Sequence, residues 1–142
     1  MTIAQAQPYR AEVIKLLATE KLPVTDLPKT LKNFIVALHN SSVIGVAGVE
    51  VYGTYGLLRS LAVKVEQRGL GTAGKLLRCI ESLSQLNQLS ALYLLTETAP
   101  GYFERKGFER ITRDEVPAEV LLSSEFSNVC PVSAIVMKKT LK

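Results

Sequence analysis

The stretch Leu57 to Gly74, LLRSLAVKVEQRGLGTAG, constrains this chain more than any other. It opens as an apolar strand, Leu57 to Val63. It turns through polar residues, Lys64 to Arg68, and closes on Gly69, Gly71 and Ala73 just before a helical pattern that starts near Thr72. A strand, a glycine-bearing turn and a helix N-terminus, in that order, make an anion cradle. The first N–H groups of a helix have no intrahelical acceptor, and the helix dipole places partial positive charge there. Glycines let a phosphate approach the backbone without meeting a Cβ. Arg68 adds a full charge at the rim.

Two familiar phosphate motifs do not fit the stretch. No Gly-Lys-Ser/Thr follows, so it is not a P-loop. Gly69, Gly71 and Gly74 spell GxGxxG, but a dinucleotide fingerprint needs an acidic residue about 20 positions on. The nearest candidate, Glu97, lies farther away. A glycine turn alone is equally compatible with a plain tight bend.

A second segment narrows the choice. Arg68-Gly69-Leu70-Gly71-Thr72-Ala73 resembles the R/Q-x-x-G-x-G/A motif of the GNAT superfamily of acyl-CoA-dependent N-acetyltransferases, and it follows a strand as in that family. Downstream, Ala99 to Phe108, APGYFERKGF, resembles the family's A-x-x-aromatic-aromatic-x-x-x-G-F segment. The resemblance implies a GNAT fold, with a mixed, mostly antiparallel central sheet flanked by helices. It implies acetyl-CoA as acyl donor and a cofactor site drawn from Leu61, Ala62, Val63, Arg68, Gly69, Leu70, Gly71, Thr72, Ala73 and Phe103.

Length and composition agree with this. A chain of 142 residues makes one domain, 1–142, able to bury roughly two thirds of its unfolded surface. Apolar residues are 47% and charged residues 21%, as in an ordinary globular protein. The net charge of +4 suits an anionic ligand such as coenzyme A, while no Lys/Arg block points to nucleic acid. No apolar run is long enough for a membrane span. Pro8, Arg10, Glu12 and Lys15 argue against a signal peptide. Cys79, read as a buried thiol in a helix, and Cys130 form no disulfide framework, so the chain reads as cytoplasmic.

Periodicity and turn residues predict the element order β-α-α-β-β-β-α-β-α-β-β. The strands are Thr2 to Ala6, Phe34 to Leu38, Val43 to Tyr52, Leu57 to Val63, Leu92 to Leu95, Phe108 to Thr112 and Ala134 to Thr140. Helices start near Pro8 and run through about Glu20, then Thr72 to Leu86, then Pro100 to Lys106 capped by Gly107. Thr25 to Pro28 is a loop or short helical turn, and Pro117 to Leu122 a helical turn. The fully apolar run Leu92 to Leu95 predicts a central strand.

Acetyl transfer from a thioester to an amine needs donors for the developing oxyanion, a neutral amine, and good positioning. Glu50 is an acid inside the apolar strand GVAGVEVYG. Two readings are open: a general base facing a cleft, or an exposed or arginine-paired glutamate. Arg59 interrupts the next strand. It is either the partner of Glu50 across the hairpin or the ligand of an acceptor carboxylate, which its planar fork fits. The backbone of Leu61 to Val63 would carry the pantetheine arm by the resemblance, with the side chains of Leu61 and Val63 packing. Many GNAT enzymes carry a tyrosine acid five residues before the phenylalanine of the G-F pair; Phe103 stands there and has no proton to give. Neighbouring Tyr102 points about 100° away on a helix, and packing suits it better. The thiolate then takes its proton from water or from the amine. His39 is the sole histidine and lies at a hairpin turn, so neither a zinc site nor a Ser-His-Asp triad assembles.

The phrases LLRSLAV and LYLLTETA and the tail VPAEVLLSSEFSNVCPVSAIVMKKTL resemble small acetyltransferases of arsenic-resistance operons and short N-acetylglutamate-synthase-like enzymes. That resemblance implies a small, amino-acid-like amine acceptor, lined by Arg59, Thr96 and Thr98, and a family in which homodimers are common. A reading from another class is a non-catalytic acyl-CoA-binding or regulatory module.

Overall fold

The computed structural model describes residues 1–123, 126 and 134–141. In chain order the elements are β1 (Thr2–Gln5), α1 (Arg10–Thr19), β2 (Phe34–His39), β3 (Ser42–Tyr52), β4 (Tyr55–Val63), α2 (Thr72–Leu86), β5 (Ala91–Thr96), α3 (Pro100–Arg105), β6 (Glu109–Ile111), α4 (Ala118–Leu121) and β7 (Ile135–Thr140). The seven strands form one sheet in the order β1-β2-β3-β4-β5-β7-β6. The expected strands and long helices are all present, most within a residue or two of their anticipated limits. β6 is one residue shorter at each end, and the start of α1 is preceded by a 3-10 turn at Gln7–Tyr9. Thr25 to Pro28 is a loop.

Contacts divide the chain into two compact units. The first holds Met1–Val49 and Arg59–Leu83. Here β1 runs antiparallel to β2, from Thr2↔Leu38 to Gln5↔Ile35, and β2 runs antiparallel to β3, from Phe34↔Gly48 to His39↔Ser42. Asn40 and Ser41, at φ 51° and 66°, make the two-residue turn between β2 and β3. Left-handed residues at both positions match the twist of paired strands. Val43 to Val49 are buried without interruption. A strand covered on both faces has no polar face to alternate with, which is why this one reads VIGVAGV. Val13, Leu16 and Leu17 of α1 recur at helical spacing and pack with Leu31, Phe34, Val36, Val46 and Ala62.

The second unit holds Glu50–Leu58 and Ser84–Lys142. The start of β4 pairs in parallel with β5 through Tyr55↔Ala91, Gly56↔Leu92 and Leu57↔Tyr93. β7 pairs antiparallel with β5 along Ala91↔Thr140 to Thr96↔Ile135, and with β6 on its other edge. β5 is therefore bonded on both sides, as its apolar run requires. Its core joins Leu57, Ala91, Tyr93, Val116, Val120, Phe126 and Val136. Burial pushes the Tyr93 phenol above its ordinary pKa, against the opposing pull of the Lys138 ammonium.

Three helices end the same way. Leu22 N–H reaches Leu17 O and Lys21 N–H reaches Ala18 O; Leu89 and Gln88 repeat the pattern on Ser84 and Gln85; Phe108 and Gly107 repeat it on Phe103 and Glu104. The residue in the left-handed position is Lys21, Gln88 or Gly107, at φ 60°, 61° and 95°. This is the Schellman termination, in which glycine avoids the Cβ penalty. Gln88→Gly should raise stability by about 1 kcal/mol, read as a rise of about 3 °C in Tm.

Candidate functional site

The candidate anion-binding segment, from Arg59 of β4 to Gly74 of α2, lies within the first unit. After β4, residues Val65–Gln67 form a 3-10 turn and Arg68 is extended. Gly69 and Gly71 then take φ 83° and 79°, and α2 begins at Thr72. Backbone of alternating hand next to a helix start forms an anion-binding concavity. The first helical bond runs from Lys75 N–H to Gly71 O, at 3.0 Å, so the amides of Thr72, Ala73 and Gly74 precede it. A Cβ built on Gly69 or Gly71 meets nothing within 4 Å. Glycine is favoured there by the backbone angle, and no atom stands near where either Cβ would be. Leu70 between them is exposed. Unpartnered amide donors and a helix dipole make this loop a candidate anion site.

α2 is seated by a close approach. A Cβ on Gly45 of β3 would stand 3.0 Å from Leu76 Cδ1 and 3.3 Å from both Ala62 O and Thr72 Cγ2. Thr72 and Leu76 are buried, so the missing Cβ lets the first turn of α2 lie against β3.

Arg68 does more than bring charge. Its Nε donates to Val63 O at 3.1 Å, closing the loop onto the end of β4. Another guanidinium nitrogen pairs with the Glu20 carboxylate at the end of α1. The side chain remains half exposed. Ala62 and Val63 are buried and Leu61 is half-buried.

Arg59 lies wholly buried, with both terminal nitrogens on Asp26 at 2.7 and 2.9 Å. Asp26 belongs to the loop between α1 and β2, and the sequence carries no signal for this partner. Arg59 Nε donates to Ser60 Oγ at 3.0 Å, and Ser60 holds φ 60° inside β4. The sequence hint at this place is a charged residue, Arg59, interrupting an apolar strand.

The other residues singled out by sequence lie in the second unit. Glu50 is half-buried and accepts a 2.6 Å hydrogen bond from the Tyr52 phenol. Thr96 Oγ1 accepts from Ala99 N–H at 3.1 Å, holding the turn into α3, and Thr98 is exposed. Phe103 is buried edge-on against Tyr102 and Phe108, with ring centroids 5.3 and 5.6 Å away. His39 is exposed at the end of β2 and Cys79 is half-buried rather than fully enclosed. Cys130 lies outside the described residues. Among the described residues no group of three His, Cys, Asp or Glu could hold a metal, and no helix is long and apolar enough to cross a membrane.

Comparison with known proteins decides the family. Residues 30–110 match the family model described as the acetyltransferase (GNAT) domain. The chain belongs to the GNAT acetyltransferase family. The matched segment runs from just before β2 through the glycine cradle and α3 into β6, and leaves out Glu20, Asp26 and Cys130. A curated relative, the amino-acid acetyltransferase of Ralstonia nicotianae, is 27% identical over 95 residues, or 66% of this chain. The chain spans about a fifth of that relative's length, 21%. The fold is shared with N-acetylglutamate synthase of Neisseria gonorrhoeae, solved with coenzyme A and N-acetyl-glutamate (TM-score 0.81, 19% identity, 99% of this chain and 35% of that one). It is also shared with a Mycobacterium tuberculosis protein solved with CoA (TM-score 0.80, 20% identity, 100% of both chains).

Proposed function

We propose that this GNAT domain transfers an acetyl group from acetyl-CoA directly to the amine of a small, amino-acid-like acceptor. The observation that carries the reading is the pair of left-handed glycines, Gly69 and Gly71, opening onto the first turn of α2. Main-chain amides from residue 69 to 73 hold the diphosphate, with Arg68 keeping the loop in shape. The backbone of Leu61 to Val63 carries the pantetheine arm. The amine nitrogen attacks the thioester carbon, the C–S bond breaks, and the thiolate leaves. Positioning supplies much of the rate, because no covalent enzyme intermediate is required.

The base in this reading is Glu50. The Tyr52 phenol orients its carboxylate, which takes the proton that the ammonium must lose. Glu50→Gln should lower kcat about a hundredfold, the usual size of a general-base contribution, with the acetyl-CoA KM unchanged. An unchanged kcat removes Glu50 from the mechanism. No hydroxyl stands at Phe103, so the thiolate is protonated by solvent or by the incoming amine's proton. The names of the Ralstonia and Neisseria relatives support an amino acid as acceptor. Thr96 and Thr98, at and just beyond the end of β5, are the acceptor-side candidates.

The test is thiol release from acetyl-CoA across a panel of amino acids that includes glutamate. Turnover with at least one α-amino acid is expected. Tight uptake of acetyl-CoA without turnover on any amine would instead make this a binding or regulatory module.

A further inference from the structure

Ser60 holds φ 60° in the middle of β4. A side chain other than glycine keeps the left-handed region only where its surroundings impose it. One group that touches Ser60 is a buried guanidinium. Arg59 Nε bonds Ser60 Oγ at 3.0 Å, while its two terminal nitrogens fork onto Asp26 at 2.7 and 2.9 Å. Asp26 arrives from a loop 33 residues earlier in the chain, and its side chain is only 8% exposed. One rigid plane thus reaches both the loop and the kinked residue. A lysine ammonium has no such fork.

The kink has a consequence along the strand. Gly56 to Arg59 are buried in succession, Ser60 and Leu61 are half-buried, and Ala62 and Val63 are buried again. The buried run breaks at the left-handed residue, and the peptide groups after it are turned from the direction a regular strand would give them. Those groups belong to Leu61, Ala62 and Val63.

We propose that Asp26 and Arg59 are positioning residues for acetyl transfer: their ion pair locks the left-handed turn of Ser60 and so aims the β4 amides that follow it. This rests on the reading of Leu61 to Val63 as the donor-carrying strand. It also gives Arg59 a role different from gripping an acceptor carboxylate.

The experiment is a cycle built on the native protein and on Ser60→Gly, because glycine takes the left-handed region without help. In the native background Asp26→Ala should lower kcat for thiol release from acetyl-CoA about thirtyfold, within the range a small misplacement costs. In the Ser60→Gly background the same change should cost less than about threefold, while the fall in Tm is equal in both. Arg59→Lys, which keeps charge and most bulk, should repeat the pattern. Each is assayed with the best acceptor from the amino-acid panel. Equal kcat losses in the two backgrounds, with the unaltered protein active, overturn this proposal alone. An unaltered protein that turns over no amine overturns the transfer reading and this proposal with it.

Discussion

Gly71→Val should weaken acetyl-CoA binding about tenfold and leave the protein folded. Gly71 sits at φ 79°, immediately before the first residue of α2. Valine is stiff and β-branched, and its Cβ penalises that region by about 1–2 kcal/mol. The loop therefore relaxes toward negative φ, and the amides on either side no longer converge. Hydrogen bonds to a charged group contribute about 1.5–3 kcal/mol each. Restoring the turn on binding keeps those bonds at the cost of about 1–2 kcal/mol of strain, which is about tenfold in Kd. Steric exclusion from the core does not enter, since a Cβ at this position meets nothing within 4 Å. The effect thus belongs to binding much more than to stability. Titration calorimetry on the variant, with its Tm beside it, separates the two. An unchanged Kd means that these amides do not hold the ligand.

Arg59→Met should lower stability by about 3 kcal/mol, the cost of removing one partner from a buried ion pair. At about 3 °C of Tm per kcal/mol for a chain of this size, that is a fall of about 10 °C. The cause is the carboxylate of Asp26, only 8% exposed, which loses both of its bonds to the guanidinium. Putting an apolar residue at both positions, Asp26→Leu with Arg59→Met, removes the buried charges together and should recover most of the loss. The recovered stability would not restore kcat, because the hydrogen bond from Arg59 Nε to Ser60 Oγ is gone. Thermal unfolding of the single and double variants gives the comparison. A double variant as unstable as the single one shows that the pair is not what Arg59 contributes.

Local chemistry made much of this domain legible. The run Leu57 to Gly74 carries its own strand, turn and helix start, and α2 occupies the span its apolar spacing predicts, Thr72–Leu86. The apolar run in β5 announced a strand bonded on both sides. What was hidden depends on groups far apart in the chain. The placement of β7 between β5 and β6 is decided by pairing across the sheet, not by any residue of β7. Lys21 and Gln88 end their helices in a left-handed turn that sequence flags only when the residue is glycine, as at Gly107. Asp26 looks like any loop aspartate until the buried fork of Arg59 reaches it, and Ser60 looks like any strand serine. Arg68 was legible as a charge but not as the clasp between Val63 O and Glu20.

The central claim is that backbone amides at the start of α2 hold a diphosphate, and calorimetric titration of acetyl-CoA into the 142-residue chain tests it most directly. Saturable uptake of one acetyl-CoA per chain is expected, with a Kd of about 1–100 μM, in the lower range of enzyme–substrate affinities. Dephosphorylated pantetheine should compete poorly. Absence of heat with every CoA thioester, or equal affinity for a fragment that lacks the diphosphate, would contradict it.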